Sequence, residues 1–182
     1  MNFTQPEEGW GAQPSRRVRH SCASPVTGGK VFITGGQEPD YSEAFAQTFV
    51  FDPASMSFSE LAPLPASTYG HSSVLLSNGT LLVLGGTTAR AGAIALQPLD
   101  TVFTLDTTAT SPTWASASVP AAPRARHGAS ATLNPDGSVF VFGGADVNGK
   151  PLNDGWILDP QHLSWTQTFN GGSGELGAPP CS

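Results

Sequence analysis

Residues 124–144 read Arg-Ala-Arg-His-Gly-Ala-Ser-Ala-Thr-Leu-Asn-Pro-Asp-Gly-Ser-Val-Phe-Val-Phe-Gly-Gly. A run of small and apolar residues leads into Asp136-Gly137, a dipeptide preferred where a two-residue hairpin needs positive φ. The chain then returns through Val139–Phe142 and stops at Gly143-Gly144. A polar loop follows, then Trp156, Ile157 and Leu158, then Asp159-Pro160, with Trp165 six residues after the aspartate. Asp-Pro starts a turn by side-chain hydrogen bonding and a fixed φ. The stretch from Arg124 to Phe169 therefore reads as four short antiparallel strands.

The same marks occur twice upstream. Glycine pairs stand at Gly35-Gly36 and Gly85-Gly86 as well, 50 and then 58 residues apart. A turn pair lies seven residues before each: Gly28-Gly29, Asn78-Gly79 and Asp136-Gly137. His20, His71 and His127 precede the pairs by 15, 14 and 16 residues. Asp52, Asp106 and Asp159 follow them, and Phe58, Trp114 and Trp165 come six, eight and six residues later. One unit is written three times, with a period typical of propeller blades.

This order of marks resembles the kelch repeat, the four-stranded blade of a β-propeller, over roughly residues 17–169. The resemblance implies an all-β, kelch-type propeller of three antiparallel blades in an incomplete, open arc. The units are an N-terminal tail at 1–15, blades at 16–66, 67–122 and 123–169, and a Gly/Pro-rich linker at 170–182 leading towards a further blade. Trp10 is read as the mark of a stray outer strand. The expected strands are 19–24, 30–34, 48–51 and 57–61; 71–76, 80–84, 101–105 and 113–117; 127–133, 138–142, 154–158 and 164–168. Closure is what removes sheet edges in propellers. Three blades should thus leave Leu152, Trp156 and Trp165 less packed than their counterparts, and self-association through the open edges is expected.

The resemblance assigns structural work to Arg17, His20, Gly35, Gly36, Asp52, Phe58, His71, Gly85, Gly86, Asp106 and Trp114, and to Arg124, His127, Gly143, Gly144, Trp156, Asp159 and Trp165. Arg17 and Arg124 each stand three residues before a histidine, whereas Thr68 holds that place in the second repeat.

Bulk numbers exclude several functions. The 182-residue chain has a net charge of −6 and only two lysines, which argues against a broad basic field for nucleic acid. Charged residues make up only 12% against 21 glycines and 16 prolines, which suits short strands and tight turns. No apolar run approaches the roughly 18 residues of a membrane span. Cys22 and Cys181 allow one bridge at most, and a buried free thiol at Cys22 is the plain expectation.

Three groups of residues could carry chemistry. Three histidines could bind a metal, but their repeated position makes them structural. The acidic residues Glu38, Asp40 and Glu43 show no coordination spacing and read as a solvated loop. Galactose-oxidase-like copper enzymes are built on similar propellers, yet only Tyr41, Tyr69 and Cys22 accompany the motif histidines, in no matching arrangement. The reading is a non-catalytic scaffold, without metal or cofactor, binding a protein, peptide or glycan. The alternative is a fragment of a copper oxidase or sugar-processing enzyme whose catalytic residues lie elsewhere.

Antiparallel order sorts the connections. Strands are labelled A to D from inner to outer. Short A–B and C–D turns fall on one face, and long, unlike B–C and D–A loops on the other. Recognition concentrates on variable loops held by a rigid scaffold. The second face is therefore the expected binding face, with Arg19, Arg90, Arg126, Glu38, Asp40 and Tyr41 as candidate contacts. Formal N-glycosylation sequons at Asn2 and Asn78 favour a secreted or cell-surface glycoprotein, with a cytoplasmic protein as the alternative.

Overall fold

The computed structural model describes residues 11–25, 29–88, 101–117, 119 and 122–170. These residues form three four-stranded antiparallel sheets. The first comprises β1 (Ser21–Ala23), β2 (Val31–Thr34), β3 (Thr48–Asp52) and β4 (Ser57–Leu61). In the second are β5 (Ser72–Leu75), β6 (Thr80–Leu84), β7 (Val102–Asp106) and β8 (Trp114–Ala117). The third has β9 (Ser130–Leu133), β10 (Val139–Phe142), β11 (Gly155–Asp159) and β12 (Ser164–Phe169). Each sheet runs in chain order from inner to outer strand. They are three kelch-type blades of an open propeller, and all twelve anticipated strands are present, with ends differing by up to three residues. Trp10 lies outside the described residues, though Gly11 bridges Phe58 of the outer strand β4 in parallel.

Burial follows the two-residue period of a strand. β6 lies between two neighbours and is apolar on both faces, so Leu81, Leu82, Val83 and Leu84 are all buried. Leu81 packs with Ala23, Phe32 and Val50 of the first blade. Leu82 and Leu84 pack with Val139, Val141 and Leu158 of the third. Each such side chain contributes about 1.5–3 kcal/mol relative to exposure. Among the described residues, β10 has a neighbouring sheet on one face only. Val139 and Val141 point into the junction and are buried, while Phe140 and Phe142 stack outwards at 6.3 Å and Phe142 stays 42% exposed.

The open flank of the third blade is thus carried by Phe140 and Phe142, not by the tryptophans. Trp165 packs inwards on the second blade, and Trp156 is half-buried, donating its indole N–H to Asp154 at 2.7 Å. Leu152 is also half-buried, its N–H bonded to the Gly144 carbonyl. Cys22 needs the same correction. Ala23 points into the first junction and is buried, so Cys22 points the opposite way, where the first blade has no neighbouring sheet among the described residues, and it is an exposed free thiol.

The C–D turns behave as their aspartates require. Asp52, Asp106 and Asp159 accept the N–H of the residue two positions on, at 2.9, 2.9 and 2.8 Å. Asp159 also holds His162, an exposed residue of the same turn, at 2.7 Å.

Candidate functional site

Strand pairing aligns the repeats more sharply than histidine spacing does. Ser21, Ser72 and Ser130 each pair with the last residue of the neighbouring second strand. One position earlier stand His20, His71 and Ala129. Next back is a left-handed position held by Arg19, Gly70 and Gly128, with φ of 54°, 63° and 68°. Before it are Val18, Tyr69 and His127, all bridged to the residue after a glycine pair. Arg17, Thr68 and Arg126 precede those. His127 is therefore not the counterpart of His20 and His71, and Arg126 rather than Arg124 is the counterpart of Arg17.

This realignment corrects two assignments. Arg126 is 3% exposed and cannot serve as a partner contact. Its guanidinium donates to both carboxylate oxygens of Asp154, at 2.7 and 2.9 Å, and to the Gly143 carbonyl at 2.9 Å. That bidentate pair holds the Asp154 carboxyl below its ordinary range. Arg124, expected to be structural, is exposed. Arg17 does the matching work in the first blade, donating to the Gly35 carbonyl at 3.0 Å and to Gln47 at 2.9 Å, with its guanidinium over Phe45 and Phe49.

Backbone contacts between blades set the hub. Gly36 N–H donates to the Thr68 carbonyl at 2.8 Å, and Gly86 N–H to the Arg126 carbonyl at 2.9 Å. A Cβ on Gly85 would stand 2.7 Å from that Arg126 oxygen, and one on Gly35 closer still to the Thr68 oxygen, so only glycine allows the approach. Closer to the axis, Gly70 N–H donates to the Arg19 carbonyl at 2.9 Å and Gly128 N–H to the Gly70 carbonyl at 2.6 Å.

Around this ladder lies an open hollow of about 370 Å³, lined by Arg19, His20, Tyr69, His71 and His127 with the two hub glycines. The guanidinium of Arg19 stands 5.4 Å from the Tyr41 ring and 5.9 Å from the Tyr69 ring. Tyr41 comes from the B–C loop of the first blade, has φ of 64° and is 51% exposed. That loop is held closed by Glu38 N–H to the Glu43 carbonyl and Tyr41 N–H to the Glu38 carbonyl, both 2.9 Å. Asp40 is spent inside it, accepting the Ser42 N–H and hydroxyl at 3.0 and 2.6 Å, which lowers its pKa. His71 is buried, with Nε2 2.8 Å from the Thr34 hydroxyl, and burial pushes its pKa down to about 4. His127 is shifted down by burial and by Arg19.

Of the partner contacts anticipated from the residues alone, Arg19 lines this hollow and stands beside Tyr41, Glu38 and Asp40 shape the adjoining loop, Arg126 is buried, and Arg90 lies outside the described residues. Tyr69 was not among those contacts; its signal was its place two residues before His71. Among the described residues, no three histidine, cysteine or acidic side chains are grouped to hold a metal ion. No helix there is long and apolar enough to cross a membrane. Asn78 is exposed in its hairpin, where Oδ1 accepts the Thr80 N–H at 3.0 Å, and Asn2 lies outside the described residues.

Repeated four-stranded blades, glycine pairs against the next blade and a shared hub define a kelch-repeat domain. A kelch-repeats domain described as KLHDC2/KLHL20/DRC7 matches residues 19–178, and the chain belongs to the kelch-repeat family. It is 32% identical over 173 residues to the Rab9 effector protein with kelch motifs of Bos taurus, covering 86% of this chain and 42% of that protein. The rat protein of the same name is 30% identical over 178 residues, 90% of this chain and 44% of its own length. Adagio-like protein 1 of Oryza sativa subsp. japonica is 34% identical over 158 residues, 83% of this chain and 23% of that protein. The chain thus spans less than half the length of these relatives.

Proposed function

We propose that this chain is a non-enzymatic interaction domain that binds a protein partner through the face bearing the B–C and D–A loops. The observation that carries the reading is the meeting of Arg19, Tyr41 and Tyr69 from three separate segments of that face. Tyr41 and Arg19 are exposed and of the types that most often anchor protein interfaces, while Tyr69, 7% exposed, backs the Arg19 guanidinium from within. The relatives named as Rab9 effectors support an adaptor role in place of catalysis. The opposite face offers short turns built around their own aspartates. A peptide or glycan ligand, and a secreted or cell-surface location with glycan at Asn78, extend the same proposal without being required by it.

The test is binding of a purified partner to face variants of the whole chain. Tyr41→Ala should weaken binding at least tenfold, as expected for an aromatic anchor worth about 2 kcal/mol. Lys30→Glu, on the opposite face, should leave it unchanged. Equal losses at both positions would sink the assignment of the face.

A further inference from the structure

We propose that Tyr41 is a phosphoryl-acceptor site, and that Arg19 beside it receives the phosphate once it is made. The donor is a nucleoside triphosphate and the catalyst a tyrosine-directed protein kinase. The consequence for binding rests on the interaction face proposed above: the modification withdraws an aromatic anchor from that face.

Three observations single out this hydroxyl. The first is access. The chain has two tyrosines; Tyr41 is 51% exposed and Tyr69 only 7%. The neighbouring Ser42 hydroxyl is already spent on Asp40 at 2.6 Å. The second is charge. Exposed carboxylates stand at Asp40, directly before Tyr41, and at Glu43, shortly after it, which suits a kinase with a basic substrate groove. The third is strain. Tyr41 has φ of 64°, and the Arg19 guanidinium 5.4 Å from its ring belongs to a residue with φ of 54°, at a position that the other two repeats fill with Gly70 and Gly128. A left-handed backbone is unfavourable for both side chains. Among the described residues, the other non-glycine positions with positive φ, Met56 and Leu163, lie in C–D turns of the opposite face, so on this face the strain is confined to the pair. Opening the loop into the extended form that a kinase groove holds breaks the Glu38–Glu43 and Tyr41–Glu38 backbone bonds and releases the Tyr41 strain in return.

The transfer involves no redox step. Tyr41 Oη gives its proton to the kinase's base and bonds to the γ-phosphorus of ATP, the bond from that phosphorus to the β–γ bridging oxygen breaks, and ADP leaves. The ester carries about 1.5–2 negative charges at neutral pH, beside a guanidinium already held against the ring. A charge-assisted pair with Arg19 then draws Tyr41 onto the hub and away from a partner.

The test incubates the whole chain with magnesium, ATP and recombinant tyrosine kinase domains of differing flank preference, acidophilic ones included, and reads the product by tandem mass spectrometry. Phosphate is expected on Tyr41, with none on Tyr69 and none in Tyr41→Phe. The purified product is then titrated by ³¹P NMR. A guanidinium beside the ester favours its dianion, so its second pKa should lie lower by about 0.5 or more than in phosphorylated Arg19→Gly. Arg19→Gly installs the residue that the other repeats carry at this position, so a folding failure does not stand in for a lost pair. No phosphate on the whole chain, or transfer to Tyr69 instead, would overturn the acceptor site. Equal titrations with and without Arg19 would overturn its role as receiver. No transfer while Tyr41→Ala still loses its partner removes the site alone. Phosphate on Tyr41 with a partner indifferent to Tyr41→Ala removes the face and the consequence for binding.

Discussion

The two junctions between blades share a backbone and differ in what fills it. Between the first and second blades, Thr34 meets His71, and the Trp114 indole N–H reaches the Thr48 hydroxyl at 3.2 Å and the Ala62 carbonyl at 2.9 Å. At the corresponding places between the second and third blades stand Leu84, Ala129, Val102 and Trp165. The second junction is an apolar cluster running from Val74 to Leu158, and its tryptophan N–H is buried without a partner. Both nevertheless keep the glycine N–H to carbonyl contact. Blade register is thus set by backbone geometry that glycine permits, and the side chains decide only how each junction responds to perturbation.

The largest effect should come from the third blade's own anchor. Arg126→Ala leaves the part-buried Asp154 carboxylate with only the Trp156 N–H of the partners named above and should cost about 3 kcal/mol. Arg17→Ala at the matching place loses bonds to a carbonyl and an amide and should cost about 1–2 kcal/mol. Chemical denaturation of both variants checks the ratio, and equal losses would break the distinction between the anchors.

Acid should act mainly on the first junction. His71 has a folded-state pKa of about 4 against an ordinary 6.5, so protons favour the unfolded chain. The stability it contributes is fully present above pH 6.5 and is lost as pH falls towards 4, about 3 kcal/mol across that window. The lowered aspartates act only below their ordinary 3.8, outside it. Half-buried His127 adds a smaller loss of the same sign. Denaturation midpoints against pH should therefore flatten between 6.5 and 4 in His71→Leu.

Much of this was legible in the residues. Glycine pairs, turn dipeptides and aspartate turns each enforce one local backbone geometry, so their order was enough to give twelve strands and their pairing. Histidine spacing misled because a histidine imposes no backbone geometry: His127 fits two positions ahead of its supposed counterparts. The same shift hid the identity of the buried arginine, since burial at Arg126 depends on Asp154, 28 residues later. Arg19 stood among the candidates, but its strain became visible only beside Gly70 and Gly128. Tyr69 escaped notice because its contact with Arg19 is made by the hub, across a blade boundary that no local pattern records.

The paired tryptophans give a smaller effect. Trp114→Phe removes a donor from two acceptors and should cost about 1–2 kcal/mol, part of it the stranded Ala62 carbonyl. Trp165→Phe removes a donor that has nothing to lose and should fall within about 0.5 kcal/mol of zero once ring volume is matched. Thermal melts of the two variants decide this, and equal shifts would mean that the indole N–H groups are not differently placed.

The smallest effect is the sharpest test. Val102 and Trp165 line one gap of about 30 Å³ at the second junction, and Val102 stands where the first junction has Thr48. Burying a hydroxyl in place of a methyl is ordinarily unfavourable, because the polar group loses water. At this position the hydroxyl of Val102→Thr would meet the orphan indole N–H, so the two penalties offset each other. We expect a net change within about 0.5 kcal/mol of zero, against a loss of about 1–2 kcal/mol for Val139→Thr in the same apolar cluster. A double-mutant cycle of Val102→Thr with Trp165→Phe should return a coupling of about 1 kcal/mol. A coupling near zero would show that the hydroxyl and the indole do not meet, and that the two junctions differ in backbone spacing as well as in side chains.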